Sequence, residues 1–129
     1  MSTLAVGTIK SISSAAPVFQ NTSGTEKGQL AKAWVNFNGT GTVAIRDDFN
    51  VSSISDNGTG DYTVNFSNSF SNANYCSPVS NGTTTGGRYG IIADSDSKGT
   101  DNARFLSFQT SSGSSLDAEE VSIAFFGDN

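Results

Sequence analysis

Apolar and polar residues alternate along much of the chain from residue 31 onward. In the segment 61–66, Tyr62, Val64 and Phe66 occupy every second position between polar residues. Successive side chains of a β-strand point to opposite faces, so this period of two predicts strands with one buried face. The same pattern predicts about eight strands. They are residues 33–38, 43–47, 49–56, 61–66, 74–80, 88–93, 103–109 and 121–126.

The residues between these segments carry the signals of tight turns. Residues 57–60 read Asn-Gly-Thr-Gly, and Asn and Gly tolerate the positive φ that hairpin turns require. Val51 and Ile54 are three positions apart, which breaks the period of two, and a β-bulge near residues 52–53 would restore it. Short strands separated by frequent turns predict an all-β fold, an antiparallel β-sandwich with almost no helix.

The first 30 residues differ from the rest of the chain. Leu4, Val6, Ile9 and Ile12 are spaced too irregularly for one face of a helix, and a polar stretch at 20–27 interrupts any continuing element. We therefore predict an extended N-terminal arm over residues 1–30, with one helical turn at 10–15 as an option, ahead of a β domain over residues 31–129. The arm either docks onto another protein or a neighbouring subunit through those four apolar residues, or forms an edge strand of its own domain.

Composition excludes several classes of partner. The 129 residues include 21 Ser, 13 Thr, 12 Asn and 14 Gly, only 15% of them are charged, and the net charge is −5. An acidic chain without a basic cluster is not expected to bind nucleic acid or an anionic membrane surface. We also expect no signal peptide and no membrane insertion, and hence synthesis in a cytoplasm. The single cysteine, Cys76, is predicted to be buried and inert.

The residue inventory also argues against catalysis. The chain has no histidine, so a Ser-His-Asp triad and imidazole-based zinc sites are impossible. The carboxylate pairs Asp47-Asp48 and Glu119-Glu120 are adjacent in sequence, and adjacent side chains on a strand face opposite ways. We therefore expect no catalytic residues and no cofactor, and the protein is interpreted as a non-enzyme.

The segment 94–101 has part of the pattern of a calcium loop. Asp94, Asp96 and Asp101 supply carboxylates at a spacing that partly resembles such a loop. Lys98 stands where an oxygen ligand is needed, and Phe105 stands where the loop requires Glu. The preferred interpretation is a solvated polar loop without metal, with these three aspartates as the candidate ligands if an ion is bound.

Four side chains are candidates for contact with a ligand. Tyr75, Arg88 and Tyr89 lie near predicted loops and are predicted to touch a receptor. Trp34 occupies the face of its strand opposite Val35. The preferred interpretation is that it packs in the core or against a neighbouring subunit, and stacking on a sugar ring is the alternative.

Residues 32–66 resemble a module found in the tail fibres and other appendages of tailed bacteriophages, especially marine and cyanobacterial ones. The resemblance is carried by Ala-Trp-Val-Asn-Phe-Asn-Gly-Thr-Gly-Thr at 33–42, Ile-Arg at 45–46, Asn-Val-Ser-Ser-Ile at 50–54 and Asp-Asn-Gly-Thr-Gly-Asp-Tyr-Thr-Val-Asn-Phe at 56–66. It continues less specifically through Asn74-Tyr75 to the closing strand at 117–126.

The resemblance implies a virion protein with a fibre-tip-like β domain, usually a homotrimer and without known catalytic residues. We therefore expect a short tail fibre or appendage on the tail or capsid surface, whose β domain binds a host surface receptor such as a glycan and whose arm docks onto another virion protein. The alternative is a capsid fibre, decoration protein or tail adaptor with a purely structural role.

Overall fold

The fold is all-β. The computed structural model describes residues 3–10, 17–84 and 86–127, and these contain ten strands in three antiparallel sheets and no helix. The described part of the chain therefore holds no helix with the length and hydropathy that a membrane crossing requires. The strands are β1 (Phe19–Gln20), β2 (Glu26–Gly28), β3 (Ala33–Asn38), β4 (Ala44–Phe49), β5 (Val51–Gly58), β6 (Asp61–Phe66), β7 (Val79–Gly82), β8 (Tyr89–Lys98), β9 (Asn102–Gln109) and β10 (Glu120–Phe125).

The chain divides into two compact units, residues 1–30 and residues 31–129. In the first unit β1 and β2 pair as a small antiparallel hairpin. Its turn is closed by the Asn21 side chain, which accepts hydrogen bonds from the backbone N–H groups of Ser23 and Thr25 at 3.1 and 2.8 Å. The polar stretch 20–27 was expected to interrupt any continuing element, and β1 does end there, at Gln20. The short strand β2 within that stretch was not expected, and Asn21 stabilises the turn that leads to it.

The apolar residues of the predicted arm are exposed where the structure describes them. Leu4, Val6 and Ile9 are 82%, 52% and 62% exposed. Ile12 lies outside the described residues, as does most of the helical turn considered at 10–15.

The second unit contains two four-stranded sheets. Sheet I has the order β4-β3-β10-β7, and sheet II has the order β5-β6-β9-β8. The chain passes from sheet I to sheet II at Asn50, which has a φ of 58°, and the Asn50 amide fixes this corner by donating to the carbonyl oxygens of Lys32 and Asn68 at 3.1 Å each. Asn tolerates this left-handed conformation better than most residues.

One hydrophobic cluster contains residues from both sheets. It arises because the alternating apolar positions of the four central strands all face inward, as their pattern predicted. Phe66 and Phe125 illustrate the contact between sheets, with ring centroids 4.8 Å apart. The buried apolar residues are Ala33, Val35, Phe37, Val51, Tyr62, Val64, Phe66, Phe70, Tyr75, Ala103, Phe105, Ala118, Val121, Ile123 and Phe125.

Several local predictions are confirmed. The register of β5 against β6 shifts between Val51 and Ser53, where a bulge was expected. The turn predicted at 57–60 lies at the junction of these two strands, with residues 59–60 between them and positive φ at Gly58 and Gly60. The strand predictions at 33–38, 61–66, 103–109 and 121–126 agree with β3, β6, β9 and β10 to within a residue or two.

Three local predictions are wrong. The loop expected at 94–101 is largely strand, because β8 continues to Lys98. The strand expected at 74–80 begins later, at Val79, and Cys76 forms only an isolated bridge with Phe126. Cys76 is also exposed rather than buried.

Candidate functional site

The outer face of sheet I carries an apolar row that crosses β4, β3 and β10 and ends at the residue before β7. Trp34 of β3 lies opposite Phe49 of β4 on one side and Ala124 of β10 on the other. Pro78, just before β7, continues the row, since its carbonyl accepts a hydrogen bond from the Ala124 N–H at 3.1 Å. Phe49 is 54% exposed and Trp34 is partly exposed, so this row is accessible on the isolated chain.

A polar row lies beside the apolar one. Asn36 of β3 is opposite Ser122 of β10, which is opposite Ser80 of β7. The Asn36 amide donates to the Ser122 hydroxyl at 2.8 Å, and the Arg46 guanidinium donates to the Asn36 amide oxygen at 3.4 Å. These contacts fix the orientation of the Asn36 side chain.

The two rows form an open groove of about 420 Å³. Its depth comes from the small outward side chains of β10, Ser122 and Ala124, because β10 lies between β3, which carries Trp34, and β7, which follows Pro78. The groove residues that the structure describes include no charged side chain. They are Trp34, Val35, Asn36, Pro78, Val79, Ser80, Ser122, Ile123 and Ala124.

A second, smaller depression of about 260 Å³ lies beside this groove. The Arg46 guanidinium donates to the Glu119 carbonyl at 2.6 Å, and a Glu119 carboxylate oxygen accepts from the Thr84 N–H at 2.6 Å. Hydrogen bonds from Thr84 lower the pKa of Glu119. A long contact of 3.4 Å from the Asn36 amide to the Glu120 carboxylate connects the two depressions.

Tyr75, one of the predicted receptor contacts, lies in the core. It is 2% exposed, and its hydroxyl donates to the carbonyls of Gly99 and Asn102, at 2.9 and 3.2 Å. Burial raises its pKa to about 12. A receptor contact must reach solvent, and the Tyr75 ring does not, so this prediction is corrected.

Arg88 and Tyr89 are adjacent but occupy different environments. Arg88 is exposed, and its carbonyl accepts hydrogen bonds from the Thr110 N–H and hydroxyl at 3.0 Å each. Tyr89 begins β8 and packs against the hydrophobic cluster. The three predicted receptor residues are therefore not brought together on one surface.

The candidate calcium ligands do not form a common site in the structure. Asp94 forms an ion pair with Arg104 at 3.5 Å, whereas Asp101 accepts a hydrogen bond from the Ser69 hydroxyl. Asp96 is exposed on β8. Within residues 3–10, 17–84 and 86–127, no three acidic or cysteine side chains gather as a metal site would require.

The outer face of sheet II is dominated by ion pairs and amide contacts. Arg104 of β9 donates to the Asp61 carboxylate of β6 through Nε at 2.7 Å, and through Nη2. The hydrogen bond from Arg104 lowers the pKa of Asp61. The Asn65 amide contacts the hydroxyls of Ser53 and Ser55 at 3.1 and 3.0 Å. These side chains hold each other across the strands, which leaves them less available to a ligand than the groove residues of sheet I.

The sequence analysis gave Trp34 as a sugar contact only as an alternative to core or subunit packing, and it missed the residues around it. The available signal was the alternation itself, which places Asn36 on the same face as Trp34. Ser80, Ser122 and Pro78 are distant in sequence, and only the antiparallel register of β10 with β3 and β7 brings them beside the tryptophan.

Comparison of the chain with protein-family profiles, curated proteins and solved structures finds no match.

Proposed function

We propose that the protein is a non-enzymatic virion appendage of a tailed bacteriophage, a short tail fibre or similar attachment that binds a host surface glycan. The observation that carries the proposal is the groove on sheet I, where the single tryptophan lies next to an uncharged row of amide and hydroxyl groups. A largely apolar cleft with a few convergent polar groups is the usual form of a small-molecule binding site. The resemblance of residues 32–66 to phage appendage modules supplies the virion context.

The proposed architecture completes this picture. The two four-stranded sheets pack face to face as a β-sandwich, because the inward residues of both belong to one hydrophobic cluster. Three copies associate into a homotrimer, as the resemblance implies. Several weak sites on one particle then bind a host surface by avidity. Light scattering of the purified chain measures the copy number, and a monomeric mass would remove the trimer from the proposal.

The test of host attachment uses the purified full-length protein. The protein is expected to bind cells of the phage host and to compete with phage adsorption in a concentration-dependent manner. Trp34→Ala is expected to reduce both effects, whereas Ile92→Ser, an exposed residue on β8 in sheet II, is expected to leave them unchanged. Failure of the unaltered protein to bind cells or to compete would refute attachment.

A second candidate is the purely structural role of a capsid fibre, decoration protein or tail adaptor. It is favoured by the first unit, which exposes several large apolar side chains that isolated surfaces seldom carry in such density. These are Leu4, Val6, Ile9, Val18, Phe19 and Leu30. Docking onto another virion protein would cover them.

Deletion of residues 1–28 distinguishes the two roles. The hydrophobic cluster begins at Ala33, so the truncated chain is expected to keep its strand content in circular dichroism and a cooperative thermal transition. If the first unit is the dock, the truncated protein no longer joins the particle but still binds cells. Incorporation at the normal level would show that the arm is not the dock.

A further inference from the structure

We infer that the sheet I groove takes an uncharged pyranose ring, which stacks on Trp34 and places its hydroxyl groups over Asn36, Ser80 and Ser122. This inference rests on the proposed function, because it assigns the glycan class and the subsite within the face already described. It follows from three features of the groove: its aromatic side, the spacing of its two rows, and its charge.

The aromatic side fits the apolar face of a sugar. Trp34 offers a large flat surface that is partly exposed, and its neighbour across the sheet is the methyl group of Ala124. The face of a pyranose that carries axial C–H groups is flat and apolar, so it can cover the indole ring and remove both surfaces from water. A larger residue than Ala124 would fill the space that such a ring needs.

The spacing of the rows matches the size of one ring. Trp34 and Asn36 are two residues apart on β3, and Ala124 and Ser122 are two residues apart on β10. Two residues of an extended strand cover about 6.5–7 Å, which is close to the width of a pyranose with its hydroxyl groups. A ring centred on the apolar row therefore has its edge over the polar row.

The polar row suits vicinal hydroxyl groups. Serine hydroxyls both donate and accept hydrogen bonds, and an asparagine amide does each with a different atom. The Asn36 amide group already donates to the Ser122 hydroxyl, so its orientation is set before a ligand binds. Such a row can satisfy sugar hydroxyls whether they act as donors or as acceptors, with little ordering on binding.

The charge around the groove selects against acidic sugars. The described residues that line the groove include no lysine or arginine. The nearest guanidinium, that of Arg46, already donates to Asn36 and to the Glu119 carbonyl. Glu119 and Glu120 lie beside it, and the chain carries a net charge of −5. A uronate or sialate carboxylate would find like charges and no free cationic partner there, and such repulsion is an effective source of specificity.

Trp34 provides the measurement, because it is the single tryptophan of the chain and its fluorescence therefore reports on this groove alone. The full-length protein is titrated with neutral gluco-, manno-, galacto- and N-acetylglucosamine oligosaccharides, and with uronate- or sialate-bearing counterparts of matched length. At least one neutral oligosaccharide is expected to give a saturable change in emission. Its acidic counterpart is expected to bind about tenfold more weakly or not at all.

Variants then assign the contact. Ser122→Leu and Asn36→Ala keep the fluorescent reporter. Each is expected to weaken binding of the neutral oligosaccharide by about tenfold or more, Ser122→Leu because it obstructs the groove and Asn36→Ala because it removes hydrogen bonds. Ile92→Ser on β8 is the matched control and is expected to bind like the unaltered chain. Trp34→Ala lacks the fluorescent reporter, so its affinity for the neutral oligosaccharide is measured by calorimetry, and it is expected to fall by the same factor. Unfolding curves of each variant confirm that the fold is retained.

Several results would overturn the inference. One is a fluorescence response to acidic saccharides only, or to no saccharide in the panel. Another is that Ile92→Ser weakens saccharide binding as much as the groove variants do. A third is a change of solution mass in Trp34→Ala, which would make the face a contact between copies. If Trp34→Ala abolishes cell binding while no neutral saccharide binds, attachment through this face stands and the pyranose assignment falls. If the unaltered protein binds no cells but a neutral saccharide saturates the groove, the subsite stands and host attachment falls.

Discussion

At the scale of single residues, Gly60, which directly precedes β6, occupies a position with no room for a side chain. Gly60 has a φ of +67°, and a Cβ added there would lie 2.3 Å from the Ser107 carbonyl oxygen. Its N–H donates to the Asp117 carboxylate at 2.7 Å, and the Tyr62 hydroxyl lies 3.0 Å from the same oxygen. One carboxylate thus holds the hairpin turn and a core tyrosine together.

The cost of a side chain at this position can be separated from the cost of its backbone conformation. Gly41 has a similar φ of +64°, but nothing lies within 4 Å of an added Cβ there. Gly41→Ala is therefore expected to cost about 1–2 kcal/mol of unfolding free energy from the left-handed backbone alone. Gly60→Ala is expected to cost about 1–3 kcal/mol more, because the methyl group meets a carbonyl that cannot move freely.

Urea unfolding of the two variants and the unaltered chain measures this difference. Equal losses for Gly41→Ala and Gly60→Ala would show that the turn relaxes around the new methyl group. That result would contradict the account of Gly60 as a close-contact position.

Individual roles were predictable where they depended on one strand. The Trp34 side chain points to the face of β3 opposite that of Val35, as the alternation predicted. Tyr75 was predicted to touch a receptor because it lies near predicted loops, yet its ring packs against Phe66, Phe70 and Phe125. Phe66 ends β6 and Phe125 ends β10, and the local sequence around Tyr75 does not show that these two strands meet there.

At the scale of elements, β8 shows how tertiary contacts can override local polarity. Its second half, residues 94–98, contains two aspartates, two serines and a lysine, and was predicted to be a loop. Asp94 lies near Arg104 of β9, and Lys98 donates to the Tyr75 carbonyl while its ammonium lies 4.3 Å from the centre of the Tyr75 ring. These contacts offset the weak strand propensity of the segment.

The ion pair between β6 and β9 predicts how stability depends on acid. Hydrogen bonds from Arg104, and to a lesser extent Asn57, lower the pKa of Asp61. The ion pair therefore stabilises the fold fully at pH values above the pKa of an aspartate in the unfolded chain, which is about 4. This stabilisation is lost as pH falls through the lower pKa that Asp61 has in the folded state. Asp61→Asn is therefore expected to be less stable than the unaltered chain near neutral pH and to lose less stability on acidification.

Urea unfolding between about pH 6 and pH 2 tests this expectation. Asp96→Asn is the matched control, because Asp96 is exposed on β8, and it is expected to follow the unaltered chain. The account of the Asp61–Arg104 pair is contradicted if Asp61→Asn shows the same acid dependence as the unaltered protein.

Edge strands were the least predictable elements. The edges of the two larger sheets are β4, β7, β5 and β8, and the main boundary errors fell on β7 and β8. The central strands have neighbours on both sides, which enforces a regular alternation. An edge strand has one partner, so polar and charged residues such as Asp47 and Asp48 are tolerated there and discourage pairing with other chains. Because these polar residues are tolerated, the alternation of apolar and polar residues is less regular on edge strands than on central ones.

At the scale of the whole molecule, the two sheets depend on pairings between distant parts of the chain. The first and last strands of the second unit, β3 and β10, are neighbours at the centre of sheet I. Asn81 of β7 in sheet I donates to the Ser107 hydroxyl of β9 in sheet II at 3.2 Å, and to the Gly90 carbonyl of β8 at 3.1 Å. With one cysteine in the chain, this arrangement is held by packing and hydrogen bonds without an internal disulfide.

Two core tyrosines predict how the whole domain responds to alkali. Burial, together with the hydrogen bond to Asp117, raises the pKa of Tyr62, and burial raises that of Tyr75 to about 12. The pKa of a tyrosine hydroxyl in the unfolded chain is about 10, and below that pH these two tyrosines do not reduce the stability of the fold. Because their pKa is raised in the folded state, the folded protein loses stability as pH rises from there through the folded-state pKa. The melting temperature is therefore expected to fall above about pH 10.

Tyrosinate absorbance measured together with circular dichroism checks this response. Ionisation of Tyr62 and Tyr75 is expected to accompany unfolding rather than precede it. Tyr62→Phe is expected to show a shallower decline in alkali, because the group that would ionise is gone. Ionisation of both tyrosines near pH 10 in a chain that keeps its strand signal would contradict their burial.

The sequence by itself determined the all-β class, the central strands, the bulge in β5 and the hairpin turn at 57–60. These features depend on the alternation of side chains within one strand and on the φ preferences of Asn and Gly, which are local properties. Only the tertiary structure decided the strand order, the burial of Tyr75, the strand character of residues 94–98 and the groove beside Trp34. Each of these depends on which distant segments become neighbours, because a sheet joins residues by hydrogen bonds between strands and the pattern within one strand does not specify its partner.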